Sequence, residues 1–318
     1  MIPKSLLDQM ESCLEKIPFK TQKTIYDRIS KRYRTGQDRA LQSKEEAIIY
    51  SVARLPATYA VGQNVLDSLK RLYPLENLKT FLDLGAGVGA SRWLVEEALP
   101  SIKTLTLLER NFHMYEVGNL LKHALGSFIL EDYQTTKALS LHDVTFLSYT
   151  LSEIPKNERN LVLSKIWSLT NQVIILIEPG TPEGFQVIKE ARTHLIERGG
   201  FVLAPCGHEA TCPMSSQDWC HFSCRLDRSK AHQYIKNGTR SFEDEKFSYL
   251  IVTKQKSPKH LAQRIIRPPL HPKGQTVLDL CTPQGIKRLT LTSAKDPLYK
   301  QHRHLSWGEA FNDAPLEK

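Results

Sequence analysis

The sequence is poor in the features that mark membrane-spanning and secreted proteins. It contains no run of about 18 apolar residues, which excludes a transmembrane helix. Its first residues have no apolar signal core, and Asp8 and Glu11 do not suit a transit peptide. Six cysteines in 318 residues are too few for a disulfide scaffold. We therefore expect a reducing, cytoplasmic compartment and no membrane partner.

Acidic residues are scarce in both flanks of the chain. The 43 Lys and Arg outnumber the 34 Asp and Glu, giving a net charge of +9. Residues 1–74 and 225–318 have an excess of basic residues, whereas residues 75–224 are acidic overall. The segment 254–273 contains no acid at all, and its basic residues are Lys254, Lys256, Lys259, Arg264, Arg267 and Lys273. Such a cluster indicates an RNA-binding surface, with a solvated, proline-rich loop as the alternative.

Hydrophobic periodicity separates a helical beginning from an α/β remainder. Apolar residues in 3–73 recur every three or four positions, which predicts helices interrupted at Pro56. From Thr80, short apolar runs alternate with helical stretches, a pattern typical of a parallel sheet buried on both faces. The predicted strands lie at 81–84, 105–108, 144–147, 173–177, 199–204 and 247–253. The runs 276–281 and 286–292 flank a turn sequence and predict a β-hairpin.

A glycine-rich turn follows the first predicted strand. Gly85, Gly87 and Gly89 come after Asp83 and precede a predicted helix, so the backbone can turn tightly and approach a ligand closely. Glu109 ends the next strand, where a carboxylate can accept hydrogen bonds from both ribose hydroxyls of a nucleoside. Strand, turn, helix, strand and terminal acid together predict a nucleoside-cofactor site.

The glycine spacing resembles the first motif of Rossmann-like methyltransferases, D-x-G-x-G-x-G, which binds S-adenosylmethionine. The resemblance implies that Asp83 orients the cofactor through the turn, which includes Ala86, and that Asp132 lies near the adenine. Ser148, at the end of a later strand, is a further candidate for the pocket. The motif Asn/Asp-Pro-Pro-Tyr, with which base aminomethyltransferases hold their target, is missing there. The catalytic residues therefore stay unassigned.

Five of the six cysteines lie between residues 206 and 281. Core packing does not call for such a local cluster, whereas a metal centre does. The predicted ligands are Cys206, Cys212, Cys220 and Cys281, with Cys224 as a possible substitute for one of them. Wide, uneven spacing without Cys-x2-Cys knuckles favours a [4Fe–4S] cluster, and zinc is the alternative.

Several distinctive segments resemble the methyltransferase-like protein 17 family, the relatives of a mitochondrial small-ribosomal-subunit protein. They are Arg54–Ala60, Ala204–Ser223, Phe242–Leu250 and Cys281–Gly285, and the resemblance spans about residues 45–308. It implies S-adenosylmethionine, a [4Fe–4S] cluster on the four predicted cysteines and binding to small-subunit rRNA. Two departures are Gly207, where the family often has proline, and the additional Cys224.

The predicted architecture is a Rossmann-like α/β methyltransferase sheet with three parts. They are an N-terminal helical subdomain (1–75), a methyltransferase-like domain (76–254) with a cysteine-rich, cluster-binding loop (204–225), and a basic linker with a C-terminal β-hairpin (255–318). The leading hypothesis is a factor for small-ribosomal-subunit assembly or translation, a monomer off the ribosome, in the bacterial cytoplasm or, in a eukaryote, the mitochondrial matrix. The alternative is an active rRNA methyltransferase. A radical enzyme is set aside, because only Cys220-x3-Cys224 fits part of the usual ligand motif.

Overall fold

The computed structural model describes residues 2–35, 40–136, 139–257 and 263–312. Its helices are α1 (Lys4–Leu14), α2 (Phe19–Thr35), α3 (Lys44–Leu72), α4 (Ser91–Ala98), α5 (Phe112–Leu120), α6 (Lys156–Ser168), α7 (Pro182–Ile196), α8 (Lys230–Ile235) and α9 (Tyr299–His302). Its strands are β1 (Thr80–Leu84), β2 (Thr104–Glu109), β3 (Ser127–Leu130), β4 (His142–Ser148), β5 (Thr170–Pro179), β6 (Phe201–Ala204), β7 (Phe222–Asp227), β8 (Phe242–Thr253), β9 (Gln263–Ile265), β10 (Gln275–Thr282), β11 (Gly285–Thr292) and β12 (Ala310–Phe311).

The predicted helical beginning of the chain is confirmed, with one correction. Pro56 does not interrupt the helix, because α3 continues through it for 29 residues. Proline lacks the N–H that would bond to the carbonyl of Val52, but the absence of one bond is offset by the many residues that α3 buries. Glu45 and Glu46 in the first turn, with basic residues in the last, also suit the helix dipole.

The chain divides into two compact units. The first comprises Met1–Asp67, Leu75–Thr150 and Cys224–Glu245. Its parallel strands are ordered β3-β2-β1-β4, so β1 pairs with β2 on one side and β4 on the other. Ligands bind outside the carboxyl ends of the strands where the order of an open α/β sheet reverses in this way. The turn after β1 lies at that position.

The second unit comprises Ser68–Pro74, Leu151–Ser223 and Lys246–Lys318. Strand β8 lies between β5 and β6 and runs antiparallel to both. A separate sheet has the order β11-β10-β9-β12 and confirms the predicted hairpin. Its buried core residues are Ile265, Leu278, Leu280, Leu291 and Phe311.

The mixed α/β fold with its parallel strands confirms the predicted fold class. The boundaries at 75 and 254, and the assignment of 204–225 as a cluster-binding loop, stay predictions. None of the described helices combines the length and the apolar character needed to cross a bilayer.

Candidate functional site

The turn after β1 requires its three glycines. Gly85, Gly87 and Gly89 have φ angles of 77°, 58° and 77°, a region that side chains rarely adopt. A Cβ on Gly85 would come within 2.2 Å of the Thr150 methyl carbon. The backbone N–H groups of Gly85 and Ala86 both donate to the carbonyl of Leu108, each over 2.9 Å. The turn is thereby held against the end of β2.

Glu109 has its carboxylate at this turn. Its Oε2 accepts a hydrogen bond from the Gly87 N–H over 2.8 Å, and its Oε1 accepts one from the Asn111 N–H over 2.7 Å. The side chain is buried, so these bonds form in a region of reduced solvent screening. The glycine turn and the terminal acid of β2, which the sequence places 24 residues apart, therefore meet in the fold.

Asp83 and Ser91, which flank the glycine turn in the sequence, are joined by a hydrogen bond. Asp83 is buried, and its Oδ2 accepts a short hydrogen bond from the Ser91 hydroxyl. Burial raises the pKa of Asp83 to about 7, with the Ser91 bond opposing the rise and the charge of Glu109 adding to it. Sequence reasoning missed Ser91, whose signal was its position as the first residue of α4.

Arg92 is a second residue that sequence reasoning missed. It is buried, and its guanidinium donates to the carbonyls of Gly89, Val88 and Gly118 over 3.1, 3.1 and 2.8 Å. These bonds connect the glycine turn to α5. Burial lowers the pKa of Arg92 to about 10, which leaves it charged at neutral pH.

The other predicted cofactor contacts lie at the ends of neighbouring strands. Asp132 follows β3, with Oδ2 3.8 Å from an Arg110 nitrogen. Ser148 ends β4, and its buried hydroxyl oxygen has no hydrogen-bond partner within the described residues. Both ends belong to the carboxyl edge of the parallel sheet.

The end of β4 contains an unusual backbone conformation. Tyr149 has a φ of 61°, a strained conformation for a bulky residue and one that clusters at functional sites. The Arg54 guanidinium lies 5.8 Å from the centre of the Tyr149 ring and pairs with Glu245 Oε1 at 3.0 Å. Two of the segments that carried the family resemblance therefore meet beside this tyrosine.

The four predicted cysteine ligands belong to the second unit and are electrostatic neighbours. Cys281 is buried and packs with Phe185, Met214 and Ile266, and Cys212 and Cys220 pack against the same group. Burial is the main cause that raises the pKa of Cys206, of Cys220 and of Cys281, the last to about 12. In each case the other thiols raise the pKa further.

The metal prediction is not supported by the side-chain arrangement as it stands. In the ranges that the structure describes, no group of three or more His, Cys, Asp or Glu side chains is disposed to hold a metal ion. The [4Fe–4S] cluster and zinc therefore both stay predictions.

Cys224, the possible substitute ligand, lies in a different environment. It is part of β7. Burial, followed by the charges of Glu245 and Asp244, raises the pKa of Cys224 to about 12. Its electrostatic neighbours are carboxylates and not thiols.

The predicted RNA-binding residues do not share one environment. Lys256 and Lys273 are exposed, whereas Lys254 lies 3.7 Å from the centre of the Trp167 ring and donates to the Trp167 carbonyl over 2.9 Å. Arg267 is partly buried and pairs with Asp218 at 2.5 Å. Lys259 lies outside the described residues.

Arg264 requires a correction. It is only 3% exposed, and its guanidinium donates to the carbonyls of Pro205 and Gly308. An RNA phosphate has no access to a guanidinium in this position, because hydrophobic packing around β9 places it in the interior. Arg264 therefore leaves the set of predicted RNA contacts.

The strand order β3-β2-β1-β4, the glycine turn after β1 and the acid that ends β2 define a Rossmann-like methyltransferase fold. Residues 44–312 match the family described as "Mitochondrial small ribosomal subunit Rsm22". The chain belongs to this family, which confirms the resemblance to methyltransferase-like protein 17.

Two curated relatives support the assignment. The chain is 27% identical over 288 residues to the human "Ribosome assembly protein METTL17, mitochondrial", covering 83% of this chain and 62% of that protein. It is 24% identical over 336 residues to the Schizosaccharomyces pombe "Rsm22-cox11 tandem protein 2, mitochondrial", covering 86% and 43%. The chain thus spans less than two thirds of the length of either relative.

Among solved structures, the chain is similar to magnesium protoporphyrin IX methyltransferase (ChlM) from Synechocystis with bound SAH. The identity is 16%, the TM-score is 0.42, and the match covers 78% of this chain and all of that one.

Proposed function

We propose that this protein acts in assembly of the small ribosomal subunit, as a methyltransferase-fold factor that binds S-adenosylmethionine and small-subunit rRNA. Its family description and the printed name of its human relative support the ribosomal role. The observation that carries the cofactor part is the Glu109 carboxylate at the glycine turn, 2.8 Å from the Gly87 nitrogen.

Each part of the cofactor has a candidate partner in the first unit. Glu109 would accept hydrogen bonds from the ribose hydroxyls, and the turn from Gly85 to Gly89 would approach the amino acid end. Asp132 would lie near the adenine, and Ser148 would offer its hydroxyl from the end of β4. Bound S-adenosylmethionine supplies a methyl group activated on a sulfonium sulfur.

The cofactor assignment is tested by calorimetric titration of the purified protein with S-adenosylmethionine and S-adenosylhomocysteine. Binding of either compound with a 1:1 stoichiometry supports it. The ribosomal assignment is tested separately, by mapping rRNA crosslinks in cells with and without cofactor depletion. Crosslinks spread over both subunits without a preferred position would contradict it.

The proposed rRNA contact includes the exposed Lys256 and Lys273. The acid-free composition of 254–273 supports this surface, because phosphate contacts by lysine release bound counterions and dominate nucleic-acid affinity. Arg267 contributes less, since Asp218 already neutralises its charge.

The cysteines are proposed to hold a [4Fe–4S] cluster, with zinc as the other outcome. The mutual influence of Cys206, Cys212, Cys220 and Cys281 supports a shared centre. Anaerobic purification followed by iron, sulfide and zinc analysis tests it. About four irons and four sulfides per chain support the cluster, zinc alone supports the alternative, and neither metal after reconstitution contradicts a metal centre.

An active rRNA methyltransferase is the second candidate function, and the left-handed Tyr149 favours it. Strain at a residue beside the cofactor edge is expected where a substrate must be positioned. Comparison of rRNA methylation between deletion and wild-type cells tests this function. One methyl mark that disappears in the deletion strain and returns on complementation would support it, and identical marks would contradict it.

The relatives are named as mitochondrial proteins, which supports the mitochondrial matrix as the location of a eukaryotic protein of this family. Size-exclusion chromatography with light scattering tests the predicted monomer.

A further inference from the structure

Two arginines of the second unit are buried without an acidic partner. Arg192 in α7 is 4% exposed and Arg264 in β9 is 3% exposed. Arg192 Nη2 donates to the carbonyls of His208 and Ala210 over 2.6 and 2.9 Å. Arg264 donates to the carbonyls of Pro205 and Gly308. Among the described residues, neither guanidinium forms an ion pair with a carboxylate.

This arrangement leaves both charges incompletely compensated. Carbonyl groups supply partial charges only, and burial of a full positive charge is costly unless a negative charge accompanies it. In addition, Arg192 Nε and Arg264 Nη2 are buried and have no hydrogen-bond acceptor within the described residues. Each guanidinium therefore has an unused N–H group as well as an uncompensated charge.

Both arginines face the cysteine cluster. Arg264 stands directly opposite Cys281 in the pairing of β9 with β10. The charges of Arg192 and Arg264 both lower the pKa of Cys206 and of Cys281, against the larger rise that burial causes. The His208 ring, whose Nε2 is 3.5 Å from the Cys281 sulfur, lies in the same region.

A third arginine beside the cluster provides a contrast. Arg267 acts on Cys220, but its guanidinium is 2.5 Å from the Asp218 carboxylate. Its charge is already compensated by an acid. Arg192 and Arg264 differ from Arg267 in that no carboxylate among the described residues compensates their charges.

Four thiolates supply four negative charges, and either Zn²⁺ or an oxidised [4Fe–4S]²⁺ core supplies two positive ones. The resulting centre carries two negative charges. We propose that Arg192 and Arg264 are the counter-charges of a doubly negative centre on Cys206, Cys212, Cys220 and Cys281, and that their unused N–H groups stabilise its sulfurs. This inference rests on the metal centre proposed above.

Metal retention, midpoint potential and apoprotein stability together distinguish charge compensation by the two arginines from a purely structural role. With the centre present, removal of a guanidinium leaves negative charge uncompensated, so the metal is held less firmly. It also lowers the midpoint potential of an iron–sulfur cluster, because reduction adds a further negative charge. Without the centre, there is no negative charge for the guanidinium to compensate, so the same substitution costs the apoprotein only the hydrogen bonds to carbonyl groups. The apoprotein is therefore destabilised less than the holoprotein.

The test compares Arg192→Met, Arg264→Met and the corresponding lysine variants with the matched control Arg198→Met, which changes an exposed arginine beside α7. Each full chain is purified anaerobically and reconstituted with iron and sulfide. Measurements are metal content, the rate of metal loss to a chelator, the midpoint potential and the thermal stability of the apoprotein.

We expect both methionine variants to lose metal about tenfold faster or more, a usual effect of removing an outer-sphere partner. Lysine, which keeps the charge, restores most of the midpoint potential. Metal loss and potential equal to those of Arg198→Met would overturn the inference, as would apoprotein destabilisation of the same size as the holoprotein effect. If the wild-type chain takes up neither iron nor zinc, the proposed metal centre itself is wrong. If the wild-type chain takes up zinc alone, the inference is tested by the rate of zinc loss from the methionine variants compared with that from Arg198→Met.

Discussion

The backbone N–H of Gly87 donates to Oε2 of Glu109 over 2.8 Å, joining the turn after β1 to the residue that ends β2. The other carboxylate oxygen accepts from the Asn111 N–H. The Glu109 carboxylate oxygens therefore hold the turn by hydrogen bonds, and the same oxygens would accept hydrogen bonds from the ribose of the cofactor. Stability and cofactor affinity are expected to depend on one side chain.

The substitution Glu109→Ala is expected to lower both the stability of the protein and its affinity for S-adenosylmethionine. Removal of the acceptor leaves two N–H groups unbonded, which costs about 1–3 kcal/mol for each one that stays buried. We expect S-adenosylmethionine affinity to fall about tenfold or more, since a charged hydrogen-bond acceptor is removed. Calorimetry and thermal unfolding measure the two effects. Glu158→Ala, at an exposed position of α6, is the matched control, and equal affinities in the two variants would contradict the ribose assignment.

Gly85→Ala is expected to destabilise the protein more than Gly199→Ala. Both glycines have a positive φ, of 77° and 76°, so the backbone cost of about 1–2 kcal/mol is shared. Only Gly85 has a neighbour in the way, the methyl carbon of Thr150, whereas a Cβ on Gly199 meets nothing within 4 Å. Thr150→Ser removes that methyl and should recover part of the difference. Chemical denaturation measures it, and equal destabilisation would show that Thr150 does not crowd the turn.

Serine substitutions are expected to separate the cysteines into two groups. Changes at Cys206, Cys212, Cys220 or Cys281 should each abolish stable metal uptake, because serine is a poor ligand for iron and zinc in such sites. Cys224→Ser and Cys13→Ser should leave it intact, since Cys224 lies beside carboxylates and Cys13 is a buried residue of α1. Metal analysis after reconstitution measures the result. Loss of metal in Cys224→Ser would contradict the ligand set.

The basic residues are expected to differ in their effect on RNA binding. Lys256→Gln and Lys273→Gln should reduce the salt dependence of rRNA affinity, with the slope falling by about 0.7–0.9 for each phosphate that is no longer neutralised. Lys254→Gln should leave the slope unchanged and instead lower stability, because the Lys254 ammonium lies on the Trp167 ring. Filter binding over a range of salt concentrations measures the slopes. An unchanged slope in the Lys256 and Lys273 double variant would place the RNA surface elsewhere.

Glu178 is expected to make stability decrease as the pH rises. It is fully buried, and burial raises its pKa to about 7, against the opposing hydrogen bonds from Ser152. The native state thus holds the proton more tightly than the unfolded state, whose pKa is 4.5. The stability contribution is complete below pH 4.5 and is lost as the pH rises through 7, by at most about 3 kcal/mol. Glu178→Gln should show a flatter profile between about pH 5 and 8 in denaturant titrations, and identical profiles would contradict this assignment.

The apolar runs of the sequence located most strands, because strands buried in a parallel sheet must be apolar on both faces. The runs near 81–84, 105–108, 144–147 and 173–177 all correspond to strands. Strand β3 was missed because it is four residues long and mostly exposed, so no burial pattern marks it. The predicted interruption at Pro56 was wrong because the packing of α3 outweighs the local preference of proline against helix interiors.

The candidate sites likewise contain some residues that the sequence located and others that it did not. Glycine spacing and a following acid indicated the turn and Glu109, because the backbone conformation there admits only certain residue types. Cysteine spacing left Cys224 as a possible substitute for one of the four predicted ligands, and the carboxylates that surround its thiol became visible only in the fold. Arg264 belonged to a basic run in the sequence, yet it lies in the interior opposite Cys281.

The sequence by itself determined the alternation of helices and strands, the glycine turn and the family, because these depend on residue types at short spacing. Only the tertiary structure decided which distant groups meet. It brought Glu109 to the Gly87 nitrogen, moved Arg264 from the predicted RNA surface to the cysteine cluster and left the buried guanidiniums of Arg192 and Arg264 without an acid among the described residues. The reason is physical: burial and charge compensation depend on distances in space, which the order of residues along the chain does not specify.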